Sequence, residues 1–262
     1  MTLLLPDLSE YEPDADLPGI KRANGGAVII RVAYGADHTD RVFAEKCAAA
    51  RAAGFSFIGL YQYIVAGQPI DQQAAVFCDL VEALTPQQIP IADLEEGTGE
   101  QYTRFLAWAT IVGERLGKRP WLYSNLDYAL TSGLAPLFNG AAYHTWVAAF
   151  SDTEPALGHT LWQSTNGKAG SNITAWSGCG SCDTNVFHGT LIQLASLVQA
   201  DVKIVTIGGP RAVSDLHQIA VQYQTTEDRL VAMNPLLQPY VGTGKPVPVV
   251  TQILVPSSPE MT

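Results

Sequence analysis

The chain has 262 residues, a net charge of −10, 47% hydrophobic residues and 15% charged ones. That much apolar material supports a sizeable buried core, in one large domain or a domain with a small module, and excludes a disordered chain. No Lys/Arg cluster occurs, which speaks against nucleic acid and anionic membrane surfaces, and no apolar run reaches membrane-spanning length.

The first residues, "MTLLLPDLSEYEPDAD", carry no basic region and only a short apolar core, so no signal peptide is expected. Short apolar runs follow at 3–5, 27–33, 55–64, 89–94, 121–124, 145–150, 160–162 and 184–187, each expected to be a strand. Helical patterns lie between the early ones, at about 40–53 with Gly54 as stop, 71–84 with Asp71 as start, 99–116 closed by Gly117, and 125–137 with Asn125 as start. Thr98 and Gln101 have the spacing of a capping box for the third. Repeated strand–helix units with near-continuously apolar strands predict a parallel sheet covered on both faces. Past residue 140 the strands come without long helices between them. The expected fold is therefore α/β: an irregular, TIM-like β/α barrel of about eight strands, regular early and irregular late.

A break near residues 199–201 separates this barrel (1–198) from a smaller unit (201–258) that reads strand "KIVTI", helix "VSDLHQIAVQY", helix "TEDRLVAMN" and strand "TQILVP". Of the four cysteines, Cys47 and Cys78 fall on apolar helix faces and are expected to be buried thiols. Cys179 and Cys182 form a C-x-x-C in a Gly/Ser-rich loop, followed by a strand pattern rather than the helix a redox motif needs. A loop staple or two idle thiols is expected there, not a metal site. Nothing in the chain signals a metal or an organic cofactor.

The stretch "IADLEEGTG", residues 91–99, ends an apolar strand in three carboxylates, Asp93, Glu95 and Glu96. Strand alternation turns Asp93 and Glu95 to one face and Glu96 to the other. The C-terminal end of a barrel strand is the catalytic rim, and two acids crowded there raise one another's pKa. A protonated acid beside an ionised carboxylate is what glycoside hydrolysis requires. A solvated acidic loop is an equal reading of these residues alone. Asp7, ending the first strand, and Asp183, beginning the last, would converge on the same rim. Arg31 interrupts "AVIIRVAYG", where a buried charge needs a partner; carboxylates across the barrel mouth would supply one.

"IIRVAYGADHTDRVFAEKCAAARAAGF", "IGLYQY", Asp93-Leu94-Glu95, "WLYSN", "TWVAAF", "LWQST" and "CDTNVFHG" occur in the order and spacing of glycoside hydrolase family 25, which the chain resembles over about residues 3–195. The resemblance implies an irregular β/α barrel and a lysozyme (muramidase) that cuts the β-1,4 bond between N-acetylmuramic acid and N-acetylglucosamine of peptidoglycan. It implies Glu95 as general acid, with Asp93 orienting the acetamido group or supporting charge at the anomeric carbon, and Asp7 and Asp183 as further acidic residues of the rim. It places Tyr34, Tyr61, Tyr123, Trp146 and Trp162 where aromatic groups line the cleft, with core packing expected for at least two of them, and adds Gln163 and Arg31 as substrate contacts. The sequence departs from the family where Gln62 follows Tyr61, a position often held by histidine. The small unit resembles a LysM domain, a binder of N-acetylglucosamine chains, in "DLHQIAVQYQTTEDRLVAMNP"; Asn234 and Pro235 would then lie by its sugar groove, or simply stop a helix. A barrel with a wall-binding module and no signal peptide is what a bacteriophage endolysin would show, made in the host cytoplasm and acting on the wall after release. The competing expectations are a non-catalytic glycan-binding virion protein on the same barrel and a chitin-type glycosidase.

Overall fold

The structure, a computed structural model, describes residues 1–99, 101–167, 182–199, 202–207, 215–223, 225–247 and 251–256. In chain order its elements are β1 (Leu3–Leu8), α1 (Leu17–Asn24), β2 (Ala27–Tyr34), β3 (His38–Thr39), α2 (Phe43–Ala52), β4 (Phe57–Tyr63), α3 (Ile70–Val81), β5 (Gln88–Asp93), α4 (Tyr102–Leu116), β6 (Trp121–Asn125), α5 (Leu126–Thr131), α6 (Ala135–Asn139), β7 (Thr145–Ala148), β8 (Leu161–Thr165), β9 (Asp183–Phe187) and α7 (Leu191–Ser196). Eight strands close into a barrel in the order β1-β2-β4-β5-β6-β7-β8-β9, and β3 only extends the edge of β2. Seven of the eight run parallel, while β9 is antiparallel to both β8 and β1. That reversal has a direct consequence. An antiparallel strand begins where its parallel neighbours end, so Asp183 at the start of β9 pairs in register with Asp7 near the end of β1.

Strand alternation sorts the core into two layers. Ile29, Phe57, Tyr61, Ile91, Trp121, Tyr123, Trp146 and Leu161 fill the barrel interior. Val28, Ile30, Ile58, Leu60 and Leu122 point outward and meet Phe77, Phe105 and Trp108 from the surrounding helices. Gln62 is one of these outward residues. It is fully buried, donates to the carbonyls of Gly35 and Gln73 at 2.9 Å each, and accepts from Trp108 Nε1 at 2.8 Å. The position at which the sequence departs from the family is thus a strand-to-helix clasp behind the barrel wall.

Local signals mostly act where the sequence places them. Gly117 closes α4 in the left-handed region (φ 72°), and the Asn125 side chain caps α5. Two expectations are corrected. Helix α4 begins at Tyr102, without the Thr98/Gln101 capping box; Gly97 and Gly99 take positive φ and turn the chain first, and Gln101 Nε2 donates to the Thr98 carbonyl instead. The helix expected over 125–137 is broken into α5 and α6, because Gly133 adopts φ 81° between them. Cys47 and Cys78 are buried and free. Cys182 is buried and disulfide-bonded, and Cys179 lies outside the described residues.

Beyond α7 come β10 (Val202–Ile207), α8 (Leu216–Gln222), α9 (Glu227–Met233), a 3-10 turn (Pro235–Tyr240) and β11 (Thr251–Pro256). β10 and β11 pair antiparallel. Asp215 and Thr226 cap α8 and α9 through their side-chain oxygens. Leu216, Ile219, Leu230, Met233, Ile253 and Val255 form a separate small core, which Ala195 of α7 joins. Asn234 follows α9 and is buried, its side-chain amide donating to the Leu230 carbonyl at 2.8 Å, and Pro235 opens the 3-10 turn.

Candidate active site

Asp7, Asp93, Glu95 and Asp183 all line one cavity of about 450 Å³ at the C-terminal mouth of the parallel strands. The third carboxylate of the acidic stretch does not join them. Glu96 turns away, accepting from the Tyr63 hydroxyl at 3.2 Å and the Ala66 backbone N–H at 2.8 Å, and so fastens the loop after β4. Three acids in four residues therefore divide between two tasks, with two facing the cavity and one anchoring its wall.

The two cavity-facing acids of this stretch differ in environment. Asp93 is deeply buried, and burial together with the neighbouring Glu95 and Asp7 pushes its carboxyl well above the ordinary range. Its Oδ1 has no hydrogen-bond partner among the described residues. Glu95 is raised as well, chiefly by burial, but Asn125 Nδ2 donates to its Oε2 at 3.0 Å and opposes the rise. Two raised carboxyls side by side titrate as a pair and retain a proton to higher pH than an isolated acid.

On the opposite wall a hydrogen-bond chain fixes the other two acids. Gln163 Nε2 donates to Asp7 Oδ2 and to Asp183 Oδ2, both at 3.0 Å, while its Oε1 accepts from the Tyr123 hydroxyl at 2.7 Å. Asn185 Nδ2 donates to Asp7 Oδ2 at 2.8 Å and its Oδ1 accepts from Trp146 Nε1 at 2.7 Å. Burial pushes Asp7 up to about 6 despite these two amide donors. Tyr61 and Tyr123 are also raised well above 10, chiefly by burial, so both stay neutral.

The site residues expected from the sequence divide as follows. Tyr34, Tyr61, Tyr123, Trp146, Gln163 and Arg31 all reach the cavity wall. Tyr34 is partly exposed at the rim and lies flat on Tyr63, with ring centroids 4.4 Å apart and planes 5° off parallel. Trp162 is outside the cavity. It alternates with Leu161 and Gln163 on β8, packs in the outer layer and donates from Nε1 to the Ala149 carbonyl at 2.8 Å. Arg31 is at the mouth, but its partners are Asp40 (2.8 Å) and Glu10 (3.2 Å) rather than the Asp93–Glu95 pair. Those partners come from the loops after β1 and β3, which approach Arg31 more closely than the opposite rim does. The sequence reading missed Tyr63, Asn125 and Asn185, and also Ser9, Tyr11, Glu12 and Asn166 on the cavity wall. Period-two alternation from Tyr61 and Asp183 would have found Tyr63 and Asn185, whereas Asn125 is disguised as an ordinary helix cap. Among the described residues no group of His, Cys, Asp and Glu has a metal-holding arrangement.

Comparison with solved structures gives the same architecture. A family GH25 lysozyme from Aspergillus fumigatus superposes with a TM-score of 0.62 at 18% identity, covering 76% of this chain and 100% of that one. A bacterial lysozyme from Streptomyces coelicolor gives 0.63 at 19% identity, covering 75% and 96%. The catalytic domain of an endolysin from a Listeria monocytogenes bacteriophage gives 0.61 at 19% identity, covering 74% and 97%. At these identities the likeness is one of fold. No curated protein matches the chain. The family model described as glycosyl hydrolases family 25 matches residues 6–173, a stretch that begins just before Asp7 and contains the Asp93–Glu95 pair. With that match spanning most of the chain and the family's barrel closed around an acid-lined cavity, this protein belongs to glycosyl hydrolase family 25.

Proposed function

We propose that the protein is a lysozyme of the muramidase type, cleaving the β-1,4 bond between N-acetylmuramic acid and N-acetylglucosamine in peptidoglycan. The observation that carries the reading is the Asp93–Glu95 pair, a buried and a half-buried acid, both of raised proton affinity, on one cavity wall. In this reading Glu95 donates its proton to the departing sugar oxygen as the anomeric C–O bond breaks. Asp93, with its unpartnered Oδ1 at the cavity wall, accepts from the substrate acetamido N–H and supports the positive charge developing at the anomeric carbon. Asp7 and Asp183, tied together through Gln163, shape the opposite wall and hold sugar or water there. The stacked Tyr34–Tyr63 pair offers an aromatic platform for a sugar ring.

The β10-α8-α9-β11 unit is read as a LysM-like wall-binding module over residues 201–258, beside a catalytic barrel over 1–198. Its element order and its own small core support this. Tethering the enzyme to an immobile polymer raises its local substrate concentration. A barrel joined to a wall-binding module suits an endolysin that waits in the host cytoplasm and lyses the wall on release. The likeness of the barrel to a phage endolysin's catalytic domain is consistent with that role.

The test is release of new reducing ends from purified peptidoglycan, with mass analysis of the fragments. N-acetylmuramic acid at the new reducing ends is expected. Glu95→Gln is expected to lower turnover by about two to four orders of magnitude while the protein still pellets with the wall. Comparable release by that variant would remove Glu95 from its role, and no release by the parent would leave a glycan binder.

A further inference from the structure

Asn125 ends β6 and begins α5, where two demands meet on one carboxamide. Its Oδ1 accepts from the Tyr128 backbone N–H at 2.8 Å, the ordinary task of a helix cap. Its Nδ2 donates to Glu95 Oε2 at 3.0 Å. The first bond dictates the second. Turned over, the amide would set its N–H2 against a backbone N–H and its carbonyl against a carboxylate, so the donor facing Glu95 is fixed by the backbone of α5. The same helical turn is tied to the acidic segment from the other side, since the Tyr128 hydroxyl donates to the Glu96 carbonyl at 2.5 Å.

We propose that Asn125 is a positioning residue for glycoside cleavage: it holds Glu95 Oε2 as the unprotonated oxygen, leaves the acid's proton on Oε1, and stabilises the carboxylate that remains after proton donation. The proposal rests on Glu95 as the general acid. In that step the Oε1–H bond breaks, a new O–H bond forms on the departing sugar, and the C–O bond to the anomeric carbon opens. The negative charge left on Glu95 is delocalised onto Oε2, where the Asn125 donor meets it. The titratable groups that face Glu95, each raised in part by its charge, are Asp93 on its own segment, Asp7 from β1, Tyr63 from β4 and Tyr123 from β6. Burial raises the Glu95 carboxyl, and the Asn125 bond, followed by a smaller contribution from Asp93, draws it back down.

Two variants keep the cap and remove the donor. Serine and aspartate both offer a capping oxygen to Tyr128, and neither presents an N–H to Glu95. Glu95 is followed through the carboxyl resonance of 13C-labelled protein, identified by its loss in Glu95→Gln, alongside the pH profile of kcat/KM on soluble glycan. The expected result is a rise in the Glu95 titration midpoint of about one pH unit in Asn125→Ser and more in Asn125→Asp, where a like charge is added. The alkaline limb of kcat/KM should move with it. A merely structural cap would leave the midpoint where it is in Asn125→Ser and move it only through the added charge in Asn125→Asp; an unmoved midpoint in Asn125→Ser, with Glu95→Gln inactive, would overturn this proposal alone. Full turnover by Glu95→Gln would overturn the reading of Glu95 and this proposal together.

Discussion

Replacing Asn185 with leucine removes three hydrogen bonds from the barrel interior with little change in volume. Asn185 is fully buried. Its amide donates to the Leu5 carbonyl at 3.1 Å and to Asp7 Oδ2 at 2.8 Å, and its carbonyl accepts from Trp146 Nε1 at 2.7 Å. The two neutral bonds contribute about 1 kcal/mol each and the bond to a carboxylate about 1.5–3 kcal/mol, so the loss should be about 4 kcal/mol when Asp7 is ionised. Asp7 makes that loss depend on pH. Its carboxyl rises from 3.8 to about 6 on folding, chiefly through burial. It therefore stabilises the fold fully below 3.8, and that contribution, about 3 kcal/mol, is lost as pH rises through about 6. Among the bonds that restrain this rise, the one from Asn185 is the largest. Without it the folded carboxyl binds its proton more tightly still, and the variant loses stability up to a higher pH than the parent. Urea denaturation followed by tryptophan fluorescence at pH 5 and pH 8 should show a deficit of about 3 kcal/mol at the lower pH, where all three bonds are neutral, and about 4 kcal/mol at the higher. A deficit below about 1 kcal/mol, or one of equal size at both pH values, would refute the bond count and the part assigned to Asp7.

Three further substitutions test how the barrel wall is built. In Gly59→Ala the new Cβ would lie 2.9 Å from Ile29 Cγ1 and from Ile91 Cδ1 on the neighbouring strands β2 and β5, so overpacking should cost about 1–3 kcal/mol in denaturant melts; an unchanged midpoint would mean that the two isoleucines move aside freely. Trp146→Phe should lower kcat/KM on soluble glycan by at least about tenfold, because the wall residue and its bond to Asn185 go together. Trp162→Phe should leave KM unchanged and only lower the melting temperature. Similar kinetics for the two variants would place the sugar elsewhere.

Much of the site was legible before any fold was known, because a strand's end is a position in space as well as in sequence. Once the chain reads as a barrel, Asp7 and Asp93 near the C-terminal ends of parallel strands must share a rim. Glu95 follows Asp93 on the same side, and the aromatic residues that alternate inward must meet behind them. Local chemistry also suffices for Gly117 and Asn125, where a helix end needs a left-handed residue or a capping oxygen. The partners of charged and amide groups depended on approach across the sequence. Arg31 had to be paired, since a lone buried charge is too costly, but whether by Asp40 and Glu10 or by the opposite rim was decided by loops whose paths no local pattern encodes. Trp162 carries no mark that separates it from Trp146; one residue of register on β8 turns it outward. Asn185, Gln163 and Asn125 appear in sequence as common polar residues. Their roles come from lying buried or half-buried against carboxylates, where an amide donor finds a charged acceptor that no local sequence pattern places there. The sequence by itself thus determined which elements form and which acids they carry to the barrel mouth. Tertiary structure alone decided how those acids are held and that their proton affinity is raised, because hydrogen bonding and desolvation exist only once distant segments have closed around the site.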